Sequence, residues 1–489
     1  MGFNIHLNIK EYVEDEFVKD GYCIRKEMTT FESKRCQNKL PKSFWETYSS
    51  FANTQGGTIV LGFEEEGNRF RLKGVENPDS VVKEIWDLLH DRTKVSANLL
   101  TENDVETRTY DNLNYIVVRV PRADRHRRPV YINGDLDNGT YRRNSEGDYH
   151  CTIPEILEMG RDATDTTTDQ RIVEKSGMQD VNLDTLNGYR NLLRSNMPTH
   201  PWLEESDMEF LRRIGAAEIE EGEFRLTMAG LLMFGNSYRI IRIIPDYHLD
   251  YRRYERGEEW ADRFNSDSGL WSGNIFDFYM GVSNRIMNSS DHPFILEGDR
   301  RIDDNGIIKA QREMVLNGLV HADYLGRGGV VIVSRRDSLT VRNPGNFRIP
   351  PEKAAKGGYS DARNPTLMKM FTLVGFVERS GSGIYRIFRT CRTMALPLPE
   401  MEEEYDPSCV VFRMGLKGSD RLDLKLIQLM VDNEKIGIGE MAEFLGVSKS
   451  TVSREIGRMK AEGRISRVGG TRGRWAVNKS DDDLESEPL

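Results

Sequence analysis

Two short stretches near the start of the chain gather carboxylates in a pattern that chemistry can use. RKEMTTFESKRC (25–36) sets Glu27 and Glu32 five residues apart with Lys34 just beyond, and FANTQGGTIVLGFEEE (51–66) runs an apolar strand into Glu64, Glu65 and Glu66. Convergent carboxylates take Mg²⁺ or Mn²⁺ through oxygen, and such an ion polarises a phosphodiester or readies a water for attack. A lysine beside them offsets the negative charge that develops on a phosphate. Spacing sets a condition. Glu32 and Lys34, two apart, share one face of a strand. Glu27 falls off that face on a straight strand and off the stripe of a helix, so convergence requires the chain to bend near Met28–Phe31. The competing reading is a strand that ends at the surface, with Glu32–Lys34 an exposed pair of little energetic weight. Gly56–Gly57 permits a sharp helix-to-strand turn on either reading.

Other stretches carry chemistry of their own. RADRHRRP (122–129) sets Arg122, Arg125, Arg127, Arg128 and His126 against one acid, Asp124, a composition suited to backbone phosphates. AQREMVLNGLVHADY (310–324) places Glu313, Asn317 and His321 on one helical stripe, while Met314, Val315, Leu319 and Val320 cover other faces. A polar stripe on a buried helix faces a pocket or a hydrogen-bond network. Downstream, Gly381 and Gly383 in ERSGSGIYRI (378–387) offer backbone N–H groups to a phosphate, although a lone G-x-G is as often a turn.

The C-terminal stretch IGIGEMAEFLGVSKSTVSREIGRMKAEGRISRVGGTRGRW (436–475) has readable geometry. One helix ends at Gly446, and Ser448 sits where an N-cap opens the next. Val452, Ile456 and Met459 bury one face of that second helix and leave Lys449, Ser450, Thr451, Ser453 and Arg454 outward near its start. A helix–turn–helix places such side chains in the major groove. RISRVGGTRGRW reads as two short strands around a Gly-Gly turn, a wing whose Arg472 and Arg474 can meet phosphates. Between 448 and 474 eight basic residues stand against two acidic ones.

These pieces need a large scaffold. The chain has 489 residues, 38% hydrophobic and 30% charged, with a net charge of −10. That length implies two to four domains, and that charge leaves nucleic-acid binding to local basic patches. Five scattered cysteines without a C-x-x-C pair argue for a reducing cytosol, so a cytoplasmic location is expected. No run of about 18 apolar residues is present to span a bilayer, and no signal-peptide pattern opens the chain. The pattern gives an α+β multidomain chain. A first α/β domain covers 1–155, with a helix near 41–52 and strands near 57–63 and 115–120. A helical linker follows at 156–225. A further globular block spans 226–415, with strand-like IIRIIP (240–245), a helix near 309–321 and strands near 329–334 and 338–342. A helical unit at 420–478 and an acidic tail at 479–489 complete the chain.

Three resemblances overlie this organisation. RKEMTTFESKRC with FANTQGG, GFEEE and the closing YRRNSEG (141–147) resembles the Schlafen-type AlbA-like α/β domain over about 20–155. In members that cut tRNA or rRNA, two glutamates five apart and a later acidic residue form a metal site. The resemblance therefore implies Glu27, Glu32 and Glu64 or Glu65 around Mg²⁺ or Mn²⁺, with Lys34 beside them and Arg142 among the phosphate contacts. The third acid is more often Asp in that family. The helix 310–324 with RNPGNFRIP (342–350), RNPTL (363–367) and GSGI resembles the RecG-like ATP-binding domain, a relative of the gyrase and histidine-kinase ATPase fold and an α/β sandwich. It implies ATP held near Glu313, Asn317, His321, Asn343, Gly345, Gly381 and Gly383, although Asn343 stands where the superfamily has an adenine-reading Asp. The C-terminal unit resembles a winged helix-turn-helix. Two functions follow as expectations. One is a metal-dependent nuclease on structured RNA or DNA, in phage defence or a stress response. The other is an ATP-responsive, DNA-binding transcriptional regulator without catalytic activity. A homodimer is expected in either case, and no membrane partner.

Overall fold

The computed structural model describes residues 16–67, 69–255, 257, 259–289, 296–297, 300–301, 306–377, 381–394, 396–417, 422–445, 447–468 and 473–477. Arg472, Gly446, the Gly-Gly turn of the wing and the acidic tail lie outside them. The chain divides into two compact units, 1–165 and 166–489.

The first unit contains β1 (Val18–Lys19), β2 (Tyr22–Cys23), β3 (Phe31–Lys34), α1 (Phe44–Asn53), β4 (Gly57–Leu61), β5 (Phe63–Glu66), β6 (Arg69–Leu72), α2 (Pro78–Leu89), β7 (Val105–Tyr110), β8 (Leu113–Val120), β9 (Tyr141–Asn144), β10 (Gly147–His150) and α3 (Ile153–Asp162). Two four-stranded sheets result, in orders β3-β4-β8-β7 and β1-β2-β6-β5. The apolar strand of the opening motif is thus two strands. Gly62, at φ +109°, breaks it and sends β5 into a different sheet from β4, a conformation that side chains resist. Phe44, Tyr48, Phe51, Ile59, Ile116 and Val118 fill the core under α1.

The ANT-x-GG motif is structural in detail. Asn53 donates to the carbonyls of Val130 and Tyr141 (2.8 and 2.9 Å) and accepts from the Val130 N–H (2.7 Å). The Thr54 hydroxyl accepts from the Arg143 N–H at 2.9 Å. The motif therefore pins β9 against the end of α1. Gly56, at φ +79°, has no room for a side chain, because a Cβ there would lie 2.8 Å from the Arg122 nitrogen.

The second unit begins with α4 (Leu183–Asn196), α5 (Asp207–Ile214), β11 (Ala217–Glu220), β12 (Glu223–Leu226), α6 (Met228–Phe234), α7 (Ser237–Ile243), β13 (Leu249–Tyr254), β14 (Trp260–Asn265) and α8 (Ile275–Asn288). It continues through β15 (Leu296–Glu297), β16 (Arg300–Arg301), α9 (Gly306–His321), β17 (Val330–Ser334), β18 (Ser338–Pro344), α10 (Pro351–Lys356), α11 (Pro365–Leu373), α12 (Gly383–Thr393), β19 (Glu400–Glu404) and β20 (Cys409–Gly415). A six-stranded sheet in order β14-β13-β17-β18-β20-β19 packs against α8 and α9. One core runs from Val173 to Met414, so residues 166–225, expected as a linker, pack inside this unit. Asp169, fully buried, fastens that stretch by accepting the N–H groups of Thr366 and Leu367 at the start of α11 (2.7 and 3.2 Å). IIRIIP, expected as a strand, lies mostly in the helix α7, where Ile240 alone is buried. Tertiary context overrides its β-branched composition.

The last element group is α13 (Leu422–Asp432), α14 (Ile438–Leu445), α15 (Lys449–Ala461) and the hairpin β21 (Ile465–Val468)–β22 (Arg474–Val477). It has its own core, which includes Met441, Val452, Ile456, Met459 and Trp475. No described helix is long and apolar enough to cross a membrane.

Candidate nucleic-acid interface and ligand cavity

The bend required between Glu27 and Glu32 is present. Met28 and Phe31 exchange both backbone hydrogen bonds (3.1 and 3.2 Å), closing a tight turn over Thr29–Thr30. The reversal brings the Glu27 carboxylate back to accept the Ser33 N–H at 3.1 Å. Burial, and then the neighbouring Glu32, push the Glu27 pKa up from 4.5 to about 7. Glu32 and Lys34 do share a face, and their ion pair closes at 2.9 Å. It is no surface pair: the side chains are only 12% and 9% exposed.

The centre of this cluster is Arg143, which the sequence reading passed over. Its side chain is fully buried and pairs with Glu32 at 2.7 Å and Asp148 at 3.0 Å. It also donates to the Met28 carbonyl at 3.1 Å. Thr47 of α1 holds the other oxygen of Asp148. Burial works against the Arg143 charge, and Glu32 and Asp148 outweigh it, so its pKa is raised. Period-2 alternation in TYRRN was the available signal, since it sends adjacent arginines to opposite faces. Arg142, expected to contact phosphate, instead pairs with Glu155 of α3 and is mostly buried.

Glu64 stands apart from this cluster because Gly62 has moved β5 to the second sheet. It pairs with Arg35 (2.9 Å) and Lys73 (3.9 Å), and Glu65 is exposed. In RADRHRRP two arginines turn inward. Arg125 is 8% exposed and donates to the carbonyls of Asp162 and Thr164 (2.6 and 3.0 Å), and Arg128 is 5% exposed. Arg127 stays at the surface, with a bond to the Asn98 carbonyl at 3.2 Å. Two of the phosphate contacts expected there, Arg125 and Arg128, are thus internal scaffolding.

In the second unit a cavity, partly open to solvent, is bordered by α9, β18, α10, α12 and β20. Glu313, Asn317, His321, Asn343, Gly381 and Gly383 all line it, with Gly345 outside the lining. Asn317 donates to the Glu313 carboxylate (3.2 Å) and to its carbonyl (2.8 Å). The glycines serve close packing: a Cβ on Gly383 would fall 2.1 Å from a Glu313 carboxylate oxygen, and one on Gly381 2.8 Å from the Tyr359 carbonyl. The Glu313 carboxylate thus rests against the start of α12, where the helix dipole favours negative charge. Gly345, at φ +103°, packs against the Arg363 guanidinium. Arg363 donates to the carbonyls of His321 and Asn346, and Arg348 pairs with Asp361 at 3.6 Å. Burial, then Arg363 and Arg348, push the His321 pKa down to about 4, so the ring is neutral at pH 7. Arg348, Asp361 and Arg363, which also line the cavity, carry no signal in the sequence. They lie in an irregular segment that offers no periodicity.

In the C-terminal group Ser448 caps α15 by accepting the Thr451 N–H at 3.1 Å. Lys449, Ser450 and Arg454 are exposed and Thr451 half-buried, opposite the buried Val452, Ile456 and Met459. The Ser450 and Thr451 hydroxyls both meet that of Ser448 (2.7 and 2.8 Å). Several of the eight basic residues counted between 448 and 474 are engaged within the group. Arg464 pairs with the buried Asp423 at 2.6 Å, Arg458 with Glu455 and Glu462, and Lys460 and Arg467 lie over Trp475. Arg474 is 63% exposed, with Glu434 3.8 Å away. Among the described residues, Lys449 and Arg454 at the start of α15 and Arg474 on the hairpin are exposed cations facing away from this core.

Residues 27–152 match the family model described as Schlafen, AlbA_2, residues 328–412 one described as the recG C-terminal part of an ATP-dependent DNA helicase, and residues 419–466 a winged helix-turn-helix DNA-binding model. The chain carries a Schlafen AlbA_2 domain, a recG C-terminal-like domain and a winged helix. Residues 157–250 match a domain of unknown function. A Corynebacterium diphtheriae protein of known crystal structure is 18% identical, with 97% of this chain and 84% of that one covered at a TM-score of 0.41. The N-terminal domain of a RecG-related protein from Nitrosomonas europaea is 27% identical, with 26% and 84% covered at a TM-score of 0.20. Neither score is high enough to establish a shared arrangement. No curated protein matches.

The Schlafen AlbA_2 domain does not fit a resident Mg²⁺ or Mn²⁺ at the expected carboxylates. Arg143 and Lys34 already neutralise Glu32, the Glu27 pKa is pushed up to about 7, and Glu64 is tied to Arg35. Among the described residues no group of three His, Cys, Asp or Glu side chains is placed to hold a metal ion.

The raised pKa of Glu27 has a measurable sign. Between about pH 4.5 and 7 the folded domain binds more protons at this carboxyl than the unfolded chain. Its stabilising contribution is complete below that window and lost as pH rises through it. Glu27→Gln is expected to weaken this loss: the urea midpoint should fall less between pH 5 and 8 in the variant than in the native chain. Equal falls would show that Glu27 does not titrate there.

Proposed function

We propose that the chain is a nucleic-acid-binding regulator in which the winged helix reads duplex DNA and the recG C-terminal-like cavity takes a nucleotide. The exposed Lys449, Ser450 and Arg454 on the first turns of a well-capped, well-packed α15 carry this reading. That is the placement from which a recognition helix reaches base edges. Half-sites read this way are commonly paired, so a homodimer belongs to the proposal. Selection from a randomised duplex pool should enrich one recurring sequence. Uniform recovery of the pool would contradict it.

For the cavity, the ligand proposed is ATP, with an apolar wall that includes Val341, Ile349 and Phe412, and Arg348 and Arg363 as the cations. When bound it would supply a triphosphate charge. The chain's own part is to position that charge beside Glu313, Asn317 and the neutral His321. Binding to the folded state alone raises stability with ligand concentration, so ATP is expected to raise the Tm of the full chain. No shift at millimolar ATP would remove nucleotide from the account.

A nuclease acting on structured RNA or DNA, with a role in phage defence or stress, is the second reading. The turn that gathers Glu27, Glu32 and Lys34 supports it, and the pairing of Glu32 with Arg143 and Lys34 opposes it. Incubation with tRNA and with duplex DNA, in Mn²⁺ or EDTA, alongside Glu27→Ala/Glu32→Ala, separates the two. Metal-dependent cleavage lost in the variant supports the nuclease, and intact substrates exclude it.

A further inference from the structure

The outer face of the β1-β2-β6-β5 sheet carries a set of side chains that neither the winged helix nor the cavity uses. In register, Lys19 lies opposite Tyr22, Tyr22 opposite Arg71, Arg71 opposite Glu64 and Arg69 opposite Glu66. Directly paired residues share a face, so these six side chains stand together. Val18, Phe63 and Leu72 point the other way, into the core. The Arg69 and Arg71 guanidinium carbons lie 5.7 and 6.0 Å from the centre of the Tyr22 ring.

The glutamates of FEEE order these cations. Glu66 accepts from the Tyr22 hydroxyl (3.3 Å) and from Arg71 (3.4 Å), and Glu64 draws Arg35 and Lys73 to the rim. Lys19, Arg35, Arg69, Arg71 and Lys73 thus face two carboxylates, a positive surface in a chain of net charge −10. Arg35, Arg71 and Lys73 keep 63%, 49% and 37% of their side chains exposed. An aromatic ring flanked by guanidinium groups on an open sheet suits an unpaired base, while the surrounding cations suit its phosphates. A duplex keeps its bases stacked and offers the ring nothing.

We propose that this face binds single-stranded nucleic acid, with a base stacked on Tyr22 between Arg69 and Arg71 and the backbone running past Lys19, Arg35 and Lys73. The site rests on the chain's being a nucleic-acid-binding protein and is separate from the duplex-reading helix. Fluorescence anisotropy with the full chain tests it, using an oligouridine of about 15 nucleotides and a DNA duplex. Tyr22→Ala should weaken oligouridine binding about tenfold or more with duplex binding unchanged, and Tyr22→Phe should retain both. Should Tyr22→Ala fail to fold, Lys19→Glu/Lys73→Glu takes its place, with the same pattern expected. Lys449→Ala/Arg454→Ala should show the reverse pattern. Native oligouridine affinity in Tyr22→Ala, or oligouridine binding lost only in the α15 variant, would overturn the proposal. So would duplex binding without single-strand binding in the native chain, and that result would leave the winged-helix reading standing.

Discussion

Replacing Arg143 with alanine is expected to unfold the N-terminal unit under conditions in which the native chain is stable. The side chain is fully buried and is paired with both Glu32 and Asp148. Removing one partner of a buried ion pair leaves uncompensated charge in a medium that solvates it poorly, at a cost of roughly 3–5 kcal/mol. Here two carboxylates lose their partner together. Among the described residues, Lys34 then remains paired with Glu32 and the Thr47 hydroxyl with Asp148. A loss of that size is a large share of the stability of an ordinary domain. Arg143→Lys keeps the charge and forfeits the forked geometry, so it should fall between the two. Urea unfolding followed by fluorescence measures this. A variant as stable as the native chain would show that Arg143 is not the centre of this domain.

Charge reversal at the start of α15 is expected to have the largest effect on binding. Lys449→Glu/Arg454→Glu removes two cations from the helix face that meets DNA and puts two anions there. Arg458, Arg464 and Arg467 are already engaged by Glu455, Asp423 and Trp475, and Arg474 lies on the hairpin rather than on this helix face. Duplex affinity should fall by at least about 100-fold at physiological salt. Both positions are exposed and lie outside the core, so stability should change by no more than about 0.5 kcal/mol. Affinity within a few-fold of native would remove the recognition helix from the account.

The sequence disclosed elements with strong local rules more readily than sites assembled over long range. The Ser448 cap and the buried stripe Val452–Ile456–Met459 follow from spacing alone, as does the stripe Glu313–Asn317–His321 that turned out to line a cavity. The bend at Met28–Phe31 was legible as a geometric condition, because residues five apart cannot converge on a straight strand. Arg143 was not legible. Its partners come from 111 residues upstream and 5 downstream, and nothing local separates it from Arg142. Gly62 was hidden for a related reason: one glycine inside an apolar run decides whether Glu64 stays with Glu32 or leaves for another sheet. RADRHRRP misled because composition cannot tell an arginine that binds phosphate from one that binds backbone carbonyls.

The central claim, that α15 holds duplex DNA through Lys449 and Arg454, is tested most directly by salt dependence. Affinity for a selected duplex should be measured from about 50 to 200 mM salt for the native chain and for Lys449→Ala/Arg454→Ala. The account predicts a steep linear fall of log affinity with log salt in the native chain, and a slope shallower by roughly 2 in the variant. Two superimposable lines would contradict it.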